Sequence, residues 1–206
     1  GDVHAVNDLS LNVGQGQIFG LLGPNGAGKT TTIRMIMDII KPDQGSIKIL
    51  GQENTVELRN QVGYLPEERG LYKKMSVQEV ILFFAEIKGM PKSAAASKID
   101  DWLEKLKLLE WKEKKVEELS RGMQQKLQFI CTVLHEPKLI ILDEPFTGLD
   151  PVNTNLIKDV ILELKKGGAT IIFSTHLMDQ VEKLCESICL INKGKSILQG
   201  TLSEVK

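Results

Sequence analysis

A glycine-rich stretch, residues 23–31, is the feature that most constrains what this chain can fold into. It follows an apolar run, Ile18–Leu22, and precedes a helix-like run at residues 33–37. A strand, a glycine loop and a helix in this order, with the spacing G-x-x-x-x-G-K-T, are typical of a phosphate-binding loop. The residues predicted to bind the phosphates are Gly23, Pro24, Asn25, Gly26, Ala27, Gly28, Lys29, Thr30 and Thr31.

The chemistry of this stretch suits a triphosphate. Glycines let backbone N–H groups turn toward phosphate oxygens where a Cβ would clash, and the following helix directs the positive end of its dipole at the same anion. Lys29 can reach the outer phosphates, and the Thr30 hydroxyl can ligate Mg²⁺. A plain glycine-rich turn is the alternative, but each glycine in a regular element costs about 0.5–1 kcal/mol relative to alanine. The stretch therefore predicts binding of a nucleoside triphosphate.

Length and charge narrow the class of protein. A chain of 206 residues can hold one sizeable α/β domain, or a core with a small lobe. Its formal net charge of −1 indicates no nucleic-acid or anionic-membrane surface, so no nucleic-acid partner is expected. No apolar run approaches the ~20 residues that span a bilayer, so any membrane crossing is left to another chain. The odd number of cysteines predicts reduced thiols in a cytosol.

Strand and helix patterns alternate along most of the chain, which predicts an α/β fold. Leu9, Leu11 and Val13 alternate with polar residues, as in a half-buried strand. Pro42 limits the helix after the glycine loop to about Ile40. Further strands are predicted over residues 46–50, 62–65, 139–142 and 170–174, helices over residues 151–166 and 178–186, and a final hairpin over residues 187–191 and 195–199.

A block of helical patterns without strand signals interrupts this alternation. Ser76 and Glu79 form a capping box before a helix that runs to about Lys88. Two more helices are predicted over residues 92–109 and 120–135. We therefore predict an inserted helical subdomain over residues 72–136 and a P-loop nucleotide-binding core over residues 1–71 and 137–206. The core is expected to have a mixed sheet with an antiparallel amino-terminal part.

Two acidic residues, Asp143 and Glu144, follow the apolar strand at residues 139–142. The carboxyl ends of buried strands are where open α/β sheets bind ligands. Asp143 suits a role in holding Mg²⁺ and its waters. Glu144, one residue on, points to the other side and suits polarising an attacking water. A helix-capping turn before Pro145 is the alternative, which the phosphate loop upstream disfavours.

Three further stretches are ambiguous when each is considered alone. Ser120 begins a predicted helix, where serine is an ordinary N-cap that needs no ligand. His176 follows an apolar strand, and a single histidine is usually structural. Residues 148–151 are typical of a loop that leads into a helix with proline in its first turn.

Together these motifs resemble the nucleotide-binding domain of ATP-binding-cassette (ABC) transporters over essentially the whole chain. By this resemblance, residues 23–31 are its Walker A loop and residues 139–144 its Walker B strand, with Glu144 catalytic. Residues 119–125 are similar to its signature sequence, which contacts the ATP of a second subunit. The resemblance assigns this contact to Ser120, Arg121, Gly122 and Met123, coupling of the two sites to Asp150 in the D-loop, and γ-phosphate contact to His176.

The chain departs from the family's pattern at several positions. Arg121 and Met123 replace glycine and glutamine of the signature, while Ser120 and Gly122 are kept. Glu67 stands where the family's Q-loop has glutamine, and its carboxylate is expected to ligate Mg²⁺ together with Thr30 and Asp143. The aromatic residue that stacks on adenine in the family is expected just before the first residue of this chain.

The resemblance implies an ATPase subunit that binds ATP and Mg²⁺, forms a homodimer around two ATP molecules and powers export by a separate transmembrane permease chain. It implies a cytoplasmic protein, peripheral on the inner face of the membrane, similar to ATPase subunits of bacterial sodium or drug efflux systems. A soluble ABC-type ATPase that acts on ribosomes or DNA is the alternative. A nucleotide kinase or GTP switch shares the Walker A loop but does not account for Ser120, Glu144 and His176 together.

Overall fold

A mixed sheet lies at the centre of the computed structural model, which describes residues 4–53, 55–68 and 70–206. Its strands are β1 (Ile18–Leu22), β4 (Val62–Leu65), β5 (Leu139–Asp143), β6 (Thr170–Thr175), β7 (Ser187–Asn192) and β8 (Lys195–Thr201). They lie in the order β4-β5-β6-β1-β7-β8, parallel throughout except for the antiparallel pair β7–β8. A separate antiparallel pair consists of β2 (Lys48–Ile49) and β3 (Gln52–Glu53).

Helices pack on both faces of the sheet, and side-chain caps explain where several of them begin. Ser76 and Glu79 form the predicted reciprocal capping box, and the Asp150 carboxylate accepts the Asn153 N–H at 2.9 Å. No helix in the described ranges combines the length and apolarity that a bilayer crossing requires. The helices are α1 (Lys29–Ile36), α2 (Val56–Arg59), α3 (Val77–Ile87), α4 (Lys92–Lys105), α5 (Arg121–Val133), α6 (Pro151–Lys166), α7 (Met178–Leu184) and α8 (Leu202–Val205).

Alternation along the strands separates two hydrophobic cores, one on each face of the sheet. On β5, Ile140 and Leu142 join the core that includes α3 to α7, whereas Leu139 and Ile141 join the core that includes α1. Because successive side chains of a strand point to opposite faces, the next residue, Asp143, falls on the α1 face. The hydrophobic pattern of β5 thus directs its terminal carboxylate toward the end of the glycine loop.

The predicted α/β fold with a mixed sheet is confirmed, but its antiparallel amino-terminal part is smaller than predicted. Within the described residues it is limited to β2 and β3, and no strand forms at residues 9–13. Leu9, Leu11 and Val13 nevertheless pack against the α1-side core while their polar neighbours are exposed. The alternation is therefore satisfied by packing alone, without a neighbouring strand to pair with.

Two helices end earlier than predicted because the chain takes a left-handed backbone conformation after them. The helix α1 ends at Ile36 rather than near Ile40, since Asp38 has φ 56°. In the same way α4 ends at Lys105 rather than at Leu109, and Lys107 has φ 55°. Neither residue is a glycine or an asparagine, the residue types that usually signal such an end in a sequence.

Residues 72–136, the predicted helical subdomain, carry α3, α4 and α5. They also carry two 3₁₀ turns, Leu109–Trp111 and Val116–Glu118, and no named strand. The side chains of α3, α4 and α5 share one hydrophobic core with the sheet. The division into a core and an inserted subdomain stays a prediction.

Candidate active site

A cleft of about 370 Å³ opens where the glycine loop turns from β1 into α1. It is lined by loop residues, by both predicted carboxylates after β5, and by Glu67 from the segment after β4. Gly23 and Pro24 belong to the loop but not to the lining. The structure thus brings together separate segments that the sequence predicted to share one site. The lining residues are Ala5, Asn25, Gly26, Ala27, Gly28, Lys29, Thr30, Thr31, Glu67, Asp143 and Glu144.

Two glycines of the loop occupy positions where a larger residue does not fit. Gly28 has φ 107°, and a Cβ there would lie 2.5 Å from the carbonyl oxygen of Ala5. A Cβ on Gly23 would lie 2.3 Å from the carbonyl oxygen of Ile191. These glycines therefore let the loop pass close to neighbouring backbone, and substitution at either position must displace it.

The amino-terminal end of α1 is prepared for an anion. Its N-cap is Gly28, which offers no side chain to the first-turn N–H groups. The buried Lys29 ammonium donates to the carbonyl oxygens of Gly23 at 2.7 Å and Pro24 at 3.1 Å. Uncapped N–H groups, the positive end of the helix dipole and this ammonium together favour a negatively charged ligand.

Asp143 is fully buried at the end of β5 and is held by hydroxyl groups. The Thr30 hydroxyl donates to Asp143 Oδ2 at 3.0 Å, and the Ser174 hydroxyl donates to Oδ1. Thr30 comes from α1 and Ser174 from β6, so three elements meet at this carboxylate. Tyr64 lies near this carboxylate: its own burial, reinforced by the Asp143 charge, raises the pKa of Tyr64 to about 12.

Glu144 has hydrogen-bond partners different from those of Asp143 and adopts a strained backbone. Its φ is 48°, a region in which a non-glycine residue costs about 1–3 kcal/mol and which is frequent at functional sites. Its N–H donates to the Ser174 carbonyl at 3.1 Å. The carboxylate lies 2.7 Å from His176 Nδ1 through Oε1, and Oε2 accepts the Thr175 hydroxyl at 3.3 Å. Glu144 and His176 therefore form one hydrogen-bonded unit at the ends of β5 and β6.

The predicted signature residues lie at the start of α5 and do not line the cleft within the described chain. Ser120 and Arg121 are exposed, and Gly122 and Met123 are half-buried. The Ser120 hydroxyl accepts the Met123 N–H at 3.3 Å, the ordinary capping role that the sequence left open.

Asp150 is likewise exposed, at the start of α6. Its hydrogen bond from the Asn153 backbone N–H holds the pKa of its carboxyl below the usual range. A Cβ built on Gly122 would lie at an ordinary 3.5 Å from the carbonyl oxygen of Gly148, so the signature stretch and the Asp150 loop are neighbours on one surface.

Several residues of the site carried no sequence signal of their own. Ser174 and Thr175 precede His176, but a serine and a threonine at a strand end are too common to be singled out. The sequence signal that could have found them is their position directly before His176. Gln125 was also missed: its side-chain amide donates to the Pro145 carbonyl at 3.0 Å and joins α5 to the residue after Glu144.

The fold and the site define a class of protein. A glycine loop between a parallel strand and a helix, with a buried aspartate and a glutamate at the end of β5, two strands away from β1 in the sheet, defines a P-loop nucleoside triphosphatase.

Comparison with known proteins gives the family. Residues 6–147 match the family described as ABC transporter. The chain belongs to this family, and it is an ATP-binding, ATP-hydrolysing subunit of an ABC transporter. These matches favour the transporter over the soluble ribosome- or DNA-acting alternative.

Relatives and solved structures agree with this assignment. The ABC transporter ATP-binding protein YhaQ of Bacillus subtilis (strain 168) is 51% identical over 206 residues, which are 100% of this chain and 69% of YhaQ. NatA of the same organism is 35% identical over 98% of this chain and 84% of its own length. A solved ATP binding subunit of an ABC transporter superposes with a TM-score of 0.91 at 32% identity, covering 98% of this chain and 85% of that one.

Proposed function

We propose that the cleft binds ATP together with Mg²⁺ and that Glu144 is the general base that activates water for hydrolysis. The observation that carries this proposal is the meeting of an uncapped helix terminus, Lys29 and the Asp143–Glu144 pair in one cleft. Backbone N–H groups of residues 25–31 would surround the phosphates, and the Lys29 ammonium would leave its loop carbonyls for the outer phosphate oxygens.

The residues around Asp143 fit a magnesium ion that is shared with the nucleotide. Mg²⁺ prefers oxygen ligands and is usually held by one or two carboxylates and substrate phosphates rather than by an all-protein cage. Thr30, Asp143 and Glu67 supply such oxygens in one cleft. Bound there, Mg²⁺ would neutralise charge on the phosphate oxygens.

Glu144 and His176 suit the hydrolytic step. The Glu144 carboxylate is nearly buried, with 10% of its side chain exposed, whereas His176 is 44% exposed. With Nδ1 engaged by Glu144, the imidazole has Nε2 left to contact the γ-phosphate. Glu144 would then accept the proton of the attacking water, as a general base within hydrogen-bond reach must do.

A second copy of the chain is the partner that we propose for the open side of the cleft. Ser120 and Gly122 lie at a helix amino terminus, where N–H groups favour an anion, yet they do not reach the cleft of their own chain. Two apolar side chains near predicted site residues are exposed, Val152 by 70% near Asp150 and Leu177 by 45% next to His176. A head-to-tail homodimer with two ATP molecules at its seam would use both features.

A separate transmembrane permease is the second proposed partner. The solved structure of cbiO1 from Clostridium perfringens superposes with a TM-score of 0.85 at 30% identity, and that protein is described as part of the ABC transporter complex cbiONQ. In this chain the segment of Glu67 leads directly to a partly exposed aromatic cluster of Tyr72, Phe83 and Phe84. We propose that a permease segment contacts this region and thereby senses the nucleotide state.

Export is the direction that we propose for the complete transporter. The Nod factor export ATP-binding protein I of Burkholderia orbicola (strain AU 1054) is 38% identical over 97% of this chain. The chain would work in the cytoplasm, peripheral on the inner face of the membrane. Its cargo is set by the permease.

The substitution Glu144→Gln tests the proposed function. It removes the base but keeps the shape of the side chain, so ATP turnover should fall by roughly 10²–10⁴-fold. With ATP and Mg²⁺ present, the variant should elute as a stable dimer in size-exclusion chromatography with light scattering. Unchanged turnover would remove Glu144 from the role of base.

A second substitution in the Glu144→Gln background tests the shared site. Ser120→Arg places a bulky side chain at the proposed contact and should abolish the ATP-dependent dimer. Ser97→Arg alters another exposed serine, on α4, and should leave the dimer intact. Equal effects of the two arginines, or no dimer under any condition, would contradict the assignment of Ser120 to a partner's ATP.

A further inference from the structure

Gln128 is a buried side chain of α5 that contacts the segment carrying Glu67. Gln128 is polar, yet only 6% of the residue is exposed. Its Nε2 donates to the carbonyl oxygen of Pro66 at 3.4 Å and to that of Glu68 at 3.3 Å. These two carbonyls stand on either side of Glu67, so one amide group holds the backbone on both flanks of that residue.

The orientation of this amide follows from its surroundings. The opposite orientation would place Oε1 against two carbonyl oxygens, none of which can donate. Nε2 therefore faces the segment, and Oε1 is left buried without a partner among the described residues. Leaving a buried acceptor unpaired is costly. The amide nevertheless keeps its two hydrogen bonds to the Pro66 and Glu68 carbonyls and leaves Oε1 without one.

The helix that carries Gln128 is fixed on β4 one turn further along. A Cβ on Gly63 would lie 2.3 Å from the Thr132 carbonyl oxygen, so the helix and the strand pack backbone against backbone. This backbone packing does not involve the Thr132 hydroxyl, which donates to the Gln128 carbonyl of its own helix at 2.9 Å and lies 3.5 Å from the Tyr64 carbonyl. Because this packing holds α5 in place on β4, the Gln128 side chain fixes the position of Pro66 and Glu68, which follow β4 in the chain.

We propose that Gln128 is a positioning residue that makes the signature helix, α5, set the location of the Glu67 carboxylate beside Thr30 and Asp143. It does so through the backbone of Pro66 and Glu68, without touching the nucleotide. The amino terminus of the same helix carries Ser120. This inference rests on the proposed function, because it assigns Glu67 to the Mg²⁺ site.

The test compares Gln128→Met with Thr132→Val. Methionine keeps the length and approximate volume of glutamine but has no donor, while Thr132→Val removes a buried hydroxyl of the same helix that does not contact Pro66 or Glu68. Without nucleotide, the backbone order parameters of Glu67 and Glu68, measured by ¹⁵N NMR relaxation, should fall below about 0.6 in Gln128→Met and stay as in the unsubstituted protein in Thr132→Val.

Divalent-ion dependence supplies the second measurement. Mn²⁺ affinity of the complex with a non-hydrolysable ATP analogue, followed by electron paramagnetic resonance, should fall roughly threefold to tenfold in Gln128→Met. The Mg²⁺ concentration for half-maximal ATP hydrolysis should rise by the same factor. Gln128→Glu, in which a carboxylate faces the two carbonyls, should reproduce both effects and serves if the methionine variant does not fold.

Three outcomes decide between the readings. Unchanged order parameters and Mn²⁺ affinity in both Gln128 variants, or equal changes in Thr132→Val, would show a structural role only and overturn the inference. Lower order parameters with unchanged Mn²⁺ affinity would equally remove Gln128 from the metal side. A protein without divalent-dependent ATP hydrolysis would instead contradict the proposed function, which the nucleotide-free NMR measurement does not depend on.

Discussion

Replacing Thr175 by valine perturbs the hydroxyl that supports the Glu144–His176 unit. The side chain is fully buried at the end of β6. Its hydroxyl accepts the Leu177 N–H at 3.2 Å and has one proton to share between Glu144 Oε2 at 3.3 Å and Gln180 Oε1 at 3.1 Å. Valine has nearly the same shape but can neither donate nor accept a hydrogen bond, so Thr175→Val deletes hydrogen bonds without creating a cavity.

The structure sets the size of the expected effect. Leaving a buried polar group without its partner costs about 1–3 kcal/mol. For a chain of 206 residues, each kcal/mol corresponds to about 2–4 °C in melting temperature, so Tm should fall by roughly 2–12 °C. Glu144 keeps its contact with His176 through Oε1. We therefore expect kcat for ATP hydrolysis to fall by roughly tenfold rather than by the full worth of a general base.

Calorimetry and a phosphate-release assay on Thr175→Val and Thr175→Ser check this reasoning. Serine restores the hydroxyl and should return most of kcat, while the lost methyl group still lowers Tm by a small amount. A valine variant with unchanged kcat, or a serine variant as slow as valine, would refute the role of the hydroxyl. Loss of Tm alone, without loss of kcat, would assign Thr175 to the fold only.

Two further predictions concern charge. Glu67→Gln removes one of the carboxylates that line the cleft with Asp143 and Glu144. In EDTA, the affinity of this variant for ATP, measured by fluorescence titration, should rise by roughly threefold to tenfold because less negative charge faces the phosphates. The gain in affinity should shrink as salt is added. Burial, with Lys88 nearby, lowers the pKa of His135 from 6.5 to about 4. Between these values the unfolded chain binds a proton that the folded chain does not, so stability should fall as pH drops from 6.5 to 4, by up to about 1.4 kcal/mol per pH unit. Denaturant titrations should show a flatter decline for His135→Gln.

The parts of the site that could be predicted are those that local chemistry dictates. The glycine loop can be recognised from the sequence because its spacing, its lysine and its flanking elements all indicate a phosphate-binding loop. Asp143 and Glu144 could be placed because a buried apolar strand delivers its terminal residues to a known edge of the sheet. In both cases a few consecutive residues contain the physical reason for their conformation.

The parts that could not be predicted depend on how distant elements pack. The Ser174 contact with Asp143 joins neighbouring strands that are far apart in sequence. The end of α1 depends on Asp38, whose left-handed backbone accompanies an ion pair with Arg59 at 3.1 Å. In the sequence, Gln128 is one of several polar residues of a predicted helix, and its role depends on how α5 packs on β4. No local sequence pattern indicates these contacts.

The position of α5 explains how a helix that does not reach its own cleft can still act on it. Gln125 holds the carbonyl of Pro145, the residue after Glu144, and Gln128 holds the backbone on both sides of Glu67. Glu144 and Glu67, which both line the cleft, thus stand beside backbone that is held by two amides one turn apart on one helix. Under the dimer proposal, a partner's ATP bound at Ser120 would contact this same helix, so the helix that meets one nucleotide would also keep both acids in place beside the other.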